Sequence, residues 1–222
     1  MVELWVFRHP ASIWNEEKIC QGQHQNAPGL SPKGWIQAER IAKFLSNHSI
    51  HSIYTSPARR ALDLADLVQR HQKRTVPLFL DSKLMEINMG GAEDLTEEEI
   101  AKIYPLSWKE WIEKRFDPTL PCFLGGEVPE IAAQRLVDAF RRIAIIVQPI
   151  PNYNCGPVVV VSHGAALSFA FALIKGKSII QAKFLDNGSL SKIVLRHGHI
   201  RIEELNSIKH LGRTAHTPKI RI

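Results

Sequence analysis

Four consecutive valines, Val158 to Val161, followed by Ser162-His163-Gly164, constrain the fold of this chain more than any other stretch. An unbroken β-branched run is the mark of a strand buried on both faces, the situation of a central strand in a parallel sheet covered by helices. The same arrangement stands near the amino terminus, where Leu4-Trp5-Val6-Phe7 ends in Arg8-His9. A third short segment, Ser52 to Tyr54, leads into Ser56-Pro57-Ala58-Arg59-Arg60-Ala61. Strands that each end in a basic or imidazole side chain describe an α/β sheet with a polar site at its carboxyl edge. Two histidines and two arginines suit an anion, phosphate first, because guanidinium forks pair with phosphate oxygens in bidentate fashion.

The intervening sequence supplies the helices. Ser31-Pro32 is a helix start, a hydroxyl cap with proline at the first helical position. Ile36, Ile41, Phe44 and Leu45 then predict an inward apolar face. Ser56-Pro57 predicts a second helix by the same device, with Ala61, Leu64, Ala65 and Val68 facing inward and Arg60 in the first turn. Val76 to Leu80 reads as an edge strand because Pro77 would interrupt a central one. A long helix is expected from about Val128 to Val147, with Ile131, Leu136, Phe140, Ile143 and Val147 on one side, and another from Ala165 to Ile174. Ser189 to Leu195 and Ile200 to Leu205 flank the turn signal His197-Gly198. Two stretches lack a steady period. Residues 10–29 read as a long loop of the kind that is usually functional, and residues 87–126, with a capping box at Thr96 to Glu99 and breaks at Pro105, Pro118 and Pro121, read as a cap inserted over the sheet's carboxyl edge.

Composition narrows the function classes. With 222 residues, 45% hydrophobic and 23% charged, the chain is expected to form one large globular domain over residues 1–205, with a basic tail at 206–222. The net charge of +6 suggests a polyanionic partner, yet Lys209, Arg213, Lys219 and Arg221 carry four of those charges. The remaining +2 is too little for a nucleic-acid footprint, so none is expected. No stretch approaches the roughly 20 apolar residues that span a bilayer, and the amino terminus enters a strand directly. A cytoplasmic protein without a membrane partner is the expectation. Cys20, Cys122 and Cys155 are odd in number and far apart, which argues against disulfides and against a cysteine-based metal site. The oligomeric state is left open, a homodimer included.

Taken in order, Arg8-His9, Trp14-Asn15, Gln21-Gly22, Leu30-Ser31-Pro32-Lys33-Gly34, Gln37-Ala38, Tyr54-Thr55-Ser56-Pro57 with Arg60-Ala61, Glu86, Gly125-Gly126-Glu127 and Val160-Val161-Ser162-His163-Gly164 cover most of the chain. This series resembles the histidine phosphatase superfamily, which includes cofactor-dependent phosphoglycerate mutases and many small phosphatases. The resemblance implies a three-layer α/β/α sandwich with a mostly parallel central sheet and a helical cap insertion, the phosphoglycerate mutase-like fold. It implies a metal-independent phosphomonoesterase that needs no cofactor and acts on a small phosphorylated metabolite. His9 is then the nucleophile, and Arg8, Arg60, His163 and Asn15 hold the phosphoryl group. Glu86 protonates the leaving oxygen and activates water, while Ser12, Gln21 and Gly22 contact the substrate. Arg59 competes with Arg60 for its part, and the resemblance favours the arginine that directly precedes the alanine. Glu93, Glu97, Glu98 and Glu99 compete with Glu86.

Departures from the family pattern bear on the reaction. The usual glycine after the nucleophile is Pro10, which removes a backbone donor from the anion loop, and the usual acidic or amide residue next is Ala11. Some phosphatases of the family also carry Arg-His-Pro. Mutases typically place asparagine and serine after the second His-Gly, where this chain has Ala165 and Ala166. A phosphatase is therefore favoured over a mutase-like phosphotransferase or a phosphate-binding scaffold that has lost catalysis. The second Arg-His-Gly string, Arg196-His197-Gly198, lies in the hairpin turn with no helix after it and reads as solvated turn residues.

Overall fold

The computed structural model describes residues 1–147 and 156–212. Along the chain run β1 (Val2–Arg8), α1 (Ile13–Glu17), α2 (Pro32–Leu45), β2 (Ile53–Thr55), α3 (Arg59–Arg70), β3 (Leu78–Leu80), α4 (Glu97–Ile103), α5 (Pro105–Glu113), α6 (Pro129–Ile146), β4 (Val158–Ser162), α7 (Gly164–Ile174), β5 (Leu190–Arg196) and β6 (His199–Ser207). The strands form one sheet in the order β3-β2-β4-β1-β5-β6. The first four in that order run parallel, and β5 and β6 join antiparallel. This is the expected mostly parallel α/β architecture. Among the described residues, no helix is long and apolar enough to cross a membrane.

Period-2 alternation explains the layers. Leu4 and Val6 of β1, with Val158 and Val160 of β4, pack against Leu136, Phe140 and Ile143 of α6 and Leu167 and Phe171 of α7. Trp5 and Phe7, with Val159 and Val161, face the other way onto Ile41 and Leu45 of α2 and Ala61, Leu64 and Val68 of α3. A third cluster gathers Ile87, Met89, Ile100, Trp111, Phe116 and Phe123 from residues 87–126 against Ala132, Ala133, Phe169 and Ala172.

Several local expectations are corrected. The stretch 10–29 contains α1, whose capping box pairs the Ser12 hydroxyl with Asn15 N and the Asn15 side chain with Ser12 N. Ile36 and Ile131, assigned to inward faces, are exposed. Ser56 does not cap α3; the cap position is Ala58, and the Ser56 hydroxyl accepts from Ala58 N just outside the helix. Asn206 belongs to β6 and donates to Asp186 through its side chain, and Leu211 is buried, so the chain stays packed to this point. The remaining tail charges at Arg213, Lys219 and Arg221, like Cys155, lie outside the described residues.

The loop after β1 is fastened to α2. Ala11 N donates to Gln37 Oε1 at 2.9 Å, and Ser31 N donates to Ala11 O at 3.0 Å. Gly34 makes this approach possible, because a Cβ there would stand 1.8 Å from Ala11 O. Backbone on both sides leaves no side chain to yield. Gly34→Ala is therefore expected to lower stability by about 1–3 kcal/mol, measured by urea denaturation, and a variant as stable as the parent would contradict this packing.

Candidate active site

The strand order β2-β4-β1 sets three carboxyl ends side by side. His9 N donates to Ser162 O at 2.9 Å and Ser56 N to Val161 O at 3.0 Å, so the pairing continues one residue past β1 and β2. Arg8, His9, His163 and Arg60 consequently converge although 154 positions separate the two histidines. The imidazoles of His9 and His163 meet edge to face with centroids 5.2 Å apart. Arg8, His9, Asn15, Gln21, Gly22, Arg60 and Glu86 line one pocket, together with Cys20, Ile87, Met89, Trp111, Gly164, Ala165 and Phe184.

His9 Nδ1 lies 2.7 Å from Pro10 O. A carbonyl only accepts, so the neutral ring carries its proton on Nδ1 and keeps the lone pair on Nε2. Burial, then the charges of Arg60 and Arg8, hold the His9 pKa well below its ordinary value. Burial and Arg60 do the same to His163. Its Nε2 is 2.7 Å from Ser56 Oγ, and its Nδ1 is buried without a hydrogen-bond partner. Both rings are therefore neutral at neutral pH.

The arginines are anchored by carbonyls. Arg8 donates to Leu185 O and Arg60 Nη2 to Gly22 O at 2.9 Å. Burial lowers the pKa of each, that of Arg60 to about 10, so both stay charged near neutrality. Arg8 Nε and Arg60 Nε are buried and unpartnered. Arg8 fits because residue 164 is glycine, where a Cβ would come within 2.9 Å of its Cζ. Arg59, the rival, is directed away and pairs with Asp63 at 2.6 Å.

Glu86 is seated at the start of α7. Its Oε1 accepts from Ala166 N at 2.7 Å and its Oε2 from Ala165 N at 3.1 Å, a favourable place for a carboxylate. The rival acids are engaged elsewhere or on the rim: Glu93 accepts from Gln23 N and Met89 N, Glu99 closes the capping box of α4, and Glu97 and Glu98 sit in its first turn. Ser12 is fully buried, spends its hydroxyl on Gln21 Oε1 and the α1 cap, and is not among the lining residues.

Three supporting residues escaped the sequence reading. Arg135 pairs with both oxygens of Glu127 at 2.8 Å and donates to the carbonyls of Lys83, Met85 and Glu86, which fixes the segment bearing Glu86. The buried Asp186 lies close enough to Arg8 to raise its pKa against the effect of burial. Asn187 Nδ2 donates to Asn15 Oδ1 at 3.0 Å and to His9 O at 3.3 Å. The only signal available for the latter two was a turn-like Asp186-Asn187-Gly188 before a strand. Cys20, in the pocket wall, has its thiol pKa pushed up by burial.

The family model described as "Histidine phosphatase superfamily (branch 1)" matches residues 4–208. The chain belongs to that superfamily. This histidine phosphatase is 28% identical over 221 residues to "Phosphoserine phosphatase 1" of Hydrogenobacter thermophilus, covering 96% of this chain and 95% of that one. It is 30% identical over 166 residues to "Phosphoglycerate mutase-like protein 4" of Arabidopsis thaliana, covering 74% and 67%. Among solved structures, YhfR of Bacillus stearothermophilus superposes with a TM-score of 0.83 at 27% identity, over 95% of this chain and all of that one. The histidine phosphatase fold and the enzyme class expected from the motifs thus hold along nearly the whole chain.

Because the folded-state pKa of His9 and His163 is depressed, the unfolded chain takes up protons first as the pH falls. Their contribution to stability is complete above about pH 6.5 and is lost below it as the pH falls toward the folded-state values. Imidazole NMR titration is expected to show both rings still neutral at about pH 6, and a normal titration of either ring would contradict the burial described.

Proposed function

We propose that this histidine phosphatase is a metal-independent phosphomonoesterase that acts on small phosphorylated metabolites through a phosphohistidine at His9. The observation that carries this reading is the pair of buried, unpartnered N–H groups, Arg8 Nε and Arg60 Nε, beside the neutral imidazole of His9. Buried donors without partners are expensive in a folded protein. A phosphoryl group, with several charged oxygens, satisfies both at once.

In the proposed reaction the lone pair of His9 Nε2 attacks phosphorus. The P–N bond forms as the ester P–O bond breaks, and Glu86 gives its proton to the departing oxygen. Glu86 then takes a proton from water, whose oxygen attacks phosphorus and releases phosphate, restoring His9. The two guanidinium groups offset the charge that builds on the equatorial oxygens, which makes a metal unnecessary. Arg60 is held by the Gly22 carbonyl, and Gln21 and Gly22 form the bend beside the phosphoryl group; Asn15 contacts it from α1. Water is the proposed acceptor because the lining offers Ala165, and no further cation, where a mutase must hold a phosphorylated product.

His9→Ala is expected to abolish phosphate release from an aryl phosphate in EDTA, while the parent keeps its activity there. Quenching without acid should trap one phosphoryl group on His9 of the parent. A phosphoryl group found on another residue, or turnover that vanishes in EDTA and returns with a divalent ion, would overturn the mechanism; an enzyme that turns over no aryl phosphate at all would favour the scaffold reading.

Glu86→Gln is expected to slow an alkyl phosphate by about a hundredfold or more and an aryl phosphate far less, since only the poor leaving group needs a proton. The melting temperature should be read alongside, because the substitution also loses one acceptor for the α7 amides. Equal, mild effects on both esters would transfer the acid role to another residue.

A further inference from the structure

The pocket has two chemically distinct ends. Its charged side chains, Arg8, His9, Arg60 and Glu86, are all engaged at the phosphoryl end. Asn15, Gln21, Gly22 and Gly164 line the pocket at that same end, and the rest of the wall is Cys20, Ile87, Met89, Trp111, Ala165 and Phe184. This apolar wall begins beside Glu86, which is followed directly by Ile87 and accepts from Ala165 N. The side chains that a leaving group would meet are therefore aromatic, aliphatic or sulfur-bearing.

Lys183, which directly precedes Phe184, is exposed and lines a different pocket, and the cations of residues 87–126 next to the wall are directed elsewhere. Lys114 donates to Ala182 O and lies over the Phe184 ring, 5.1 Å from its centroid. Arg115 pairs with Glu113 at 3.2 Å and is exposed, as is Lys109. None of the three lines the pocket. A carboxylate or second phosphate on the leaving group would lose its water and find no cation on this wall, which is costly. An uncharged apolar group would instead cover Met89, Trp111 and Phe184 and gain from their burial.

We infer that the preferred substrates are monoesters whose alcohol is apolar or aromatic and uncharged, rather than phosphorylated amino acids or hydroxy acids. The inference rests on the phosphomonoesterase reading of the same site. It runs against what the name of the Hydrogenobacter relative says of that protein.

The test compares kcat/KM for 2-phenylethyl phosphate, phosphoserine and 3-phosphoglycerate, all alkyl esters, so that an aryl leaving group does not decide the outcome. The phenylethyl ester is expected to exceed both charged esters by at least about tenfold, the scale of burying a phenyl group. Phe184→Ala should lower that preference, read as the ratio of kcat/KM for the phenylethyl ester to that for phosphoserine. Met89→Lys, which places a cation on the wall, should raise the rate with 3-phosphoglycerate relative to the phenylethyl ester. Release of phosphate from all three esters without preference, or with the charged esters ahead, would overturn the inference and leave the phosphatase reading standing. Release from none of the three would overturn both.

Discussion

Everything at the site depends on one register. β1 and β4 pair in parallel so that Arg8 stands opposite Ser162, and the pairing extends to the His9 N–H and the Ser162 carbonyl. Parallel strands present their carboxyl ends on the same edge, and a slip of one residue would exchange the two faces of every side chain. Here both faces are occupied, Leu4 and Val6 against α6 and α7, Trp5 and Phe7 against α2 and α3. The slip would still misplace side chains of different size, and it would separate His9 from His163. The apolar packing of the sheet and the geometry of the imidazole pair are thus a single constraint.

What the sequence made legible were features carried by contiguous residues. The valine run, the apolar entry to Arg8-His9 and the Ser31-Pro32 start all appear in the fold where local chemistry puts them. The missed α1 has five residues, too few for any period to emerge, and it is held by a reciprocal cap between Ser12 and Asn15. Ile36 and Ile131 mislead because apolar residues on a helix outnumber the positions its neighbours cover, and only the neighbours decide which are used. Arg135, Asp186 and Asn187 gain their meaning from partners about 50 to 180 positions away. No spacing rule reaches that far.

Polar and apolar demands meet at Glu86. Its carboxylate completes the amino-terminal turn of α7, its carbonyl accepts from Arg135 and Gln23, and its neighbour Ile87 enters the apolar cluster of residues 87–126. One short segment between β3 and α4 therefore links the sheet, the half-buried ion pair of Arg135 with Glu127, and the wall of the pocket. Substitutions in this segment should couple, because they share the same partners.

The anchoring of Arg8 and Arg60 has an entropic side. A surface arginine surrenders roughly 2 kcal/mol of rotamer freedom when it grips an anion. Here the Leu185 and Gly22 carbonyls, and the absence of a Cβ at Gly164, have already removed that freedom in the folded chain. On the proposed chemistry a phosphoryl group is received without further ordering, and so is free orthophosphate. On that chemistry the rigidity that favours capture also slows departure, so that inorganic phosphate inhibits the enzyme that releases it.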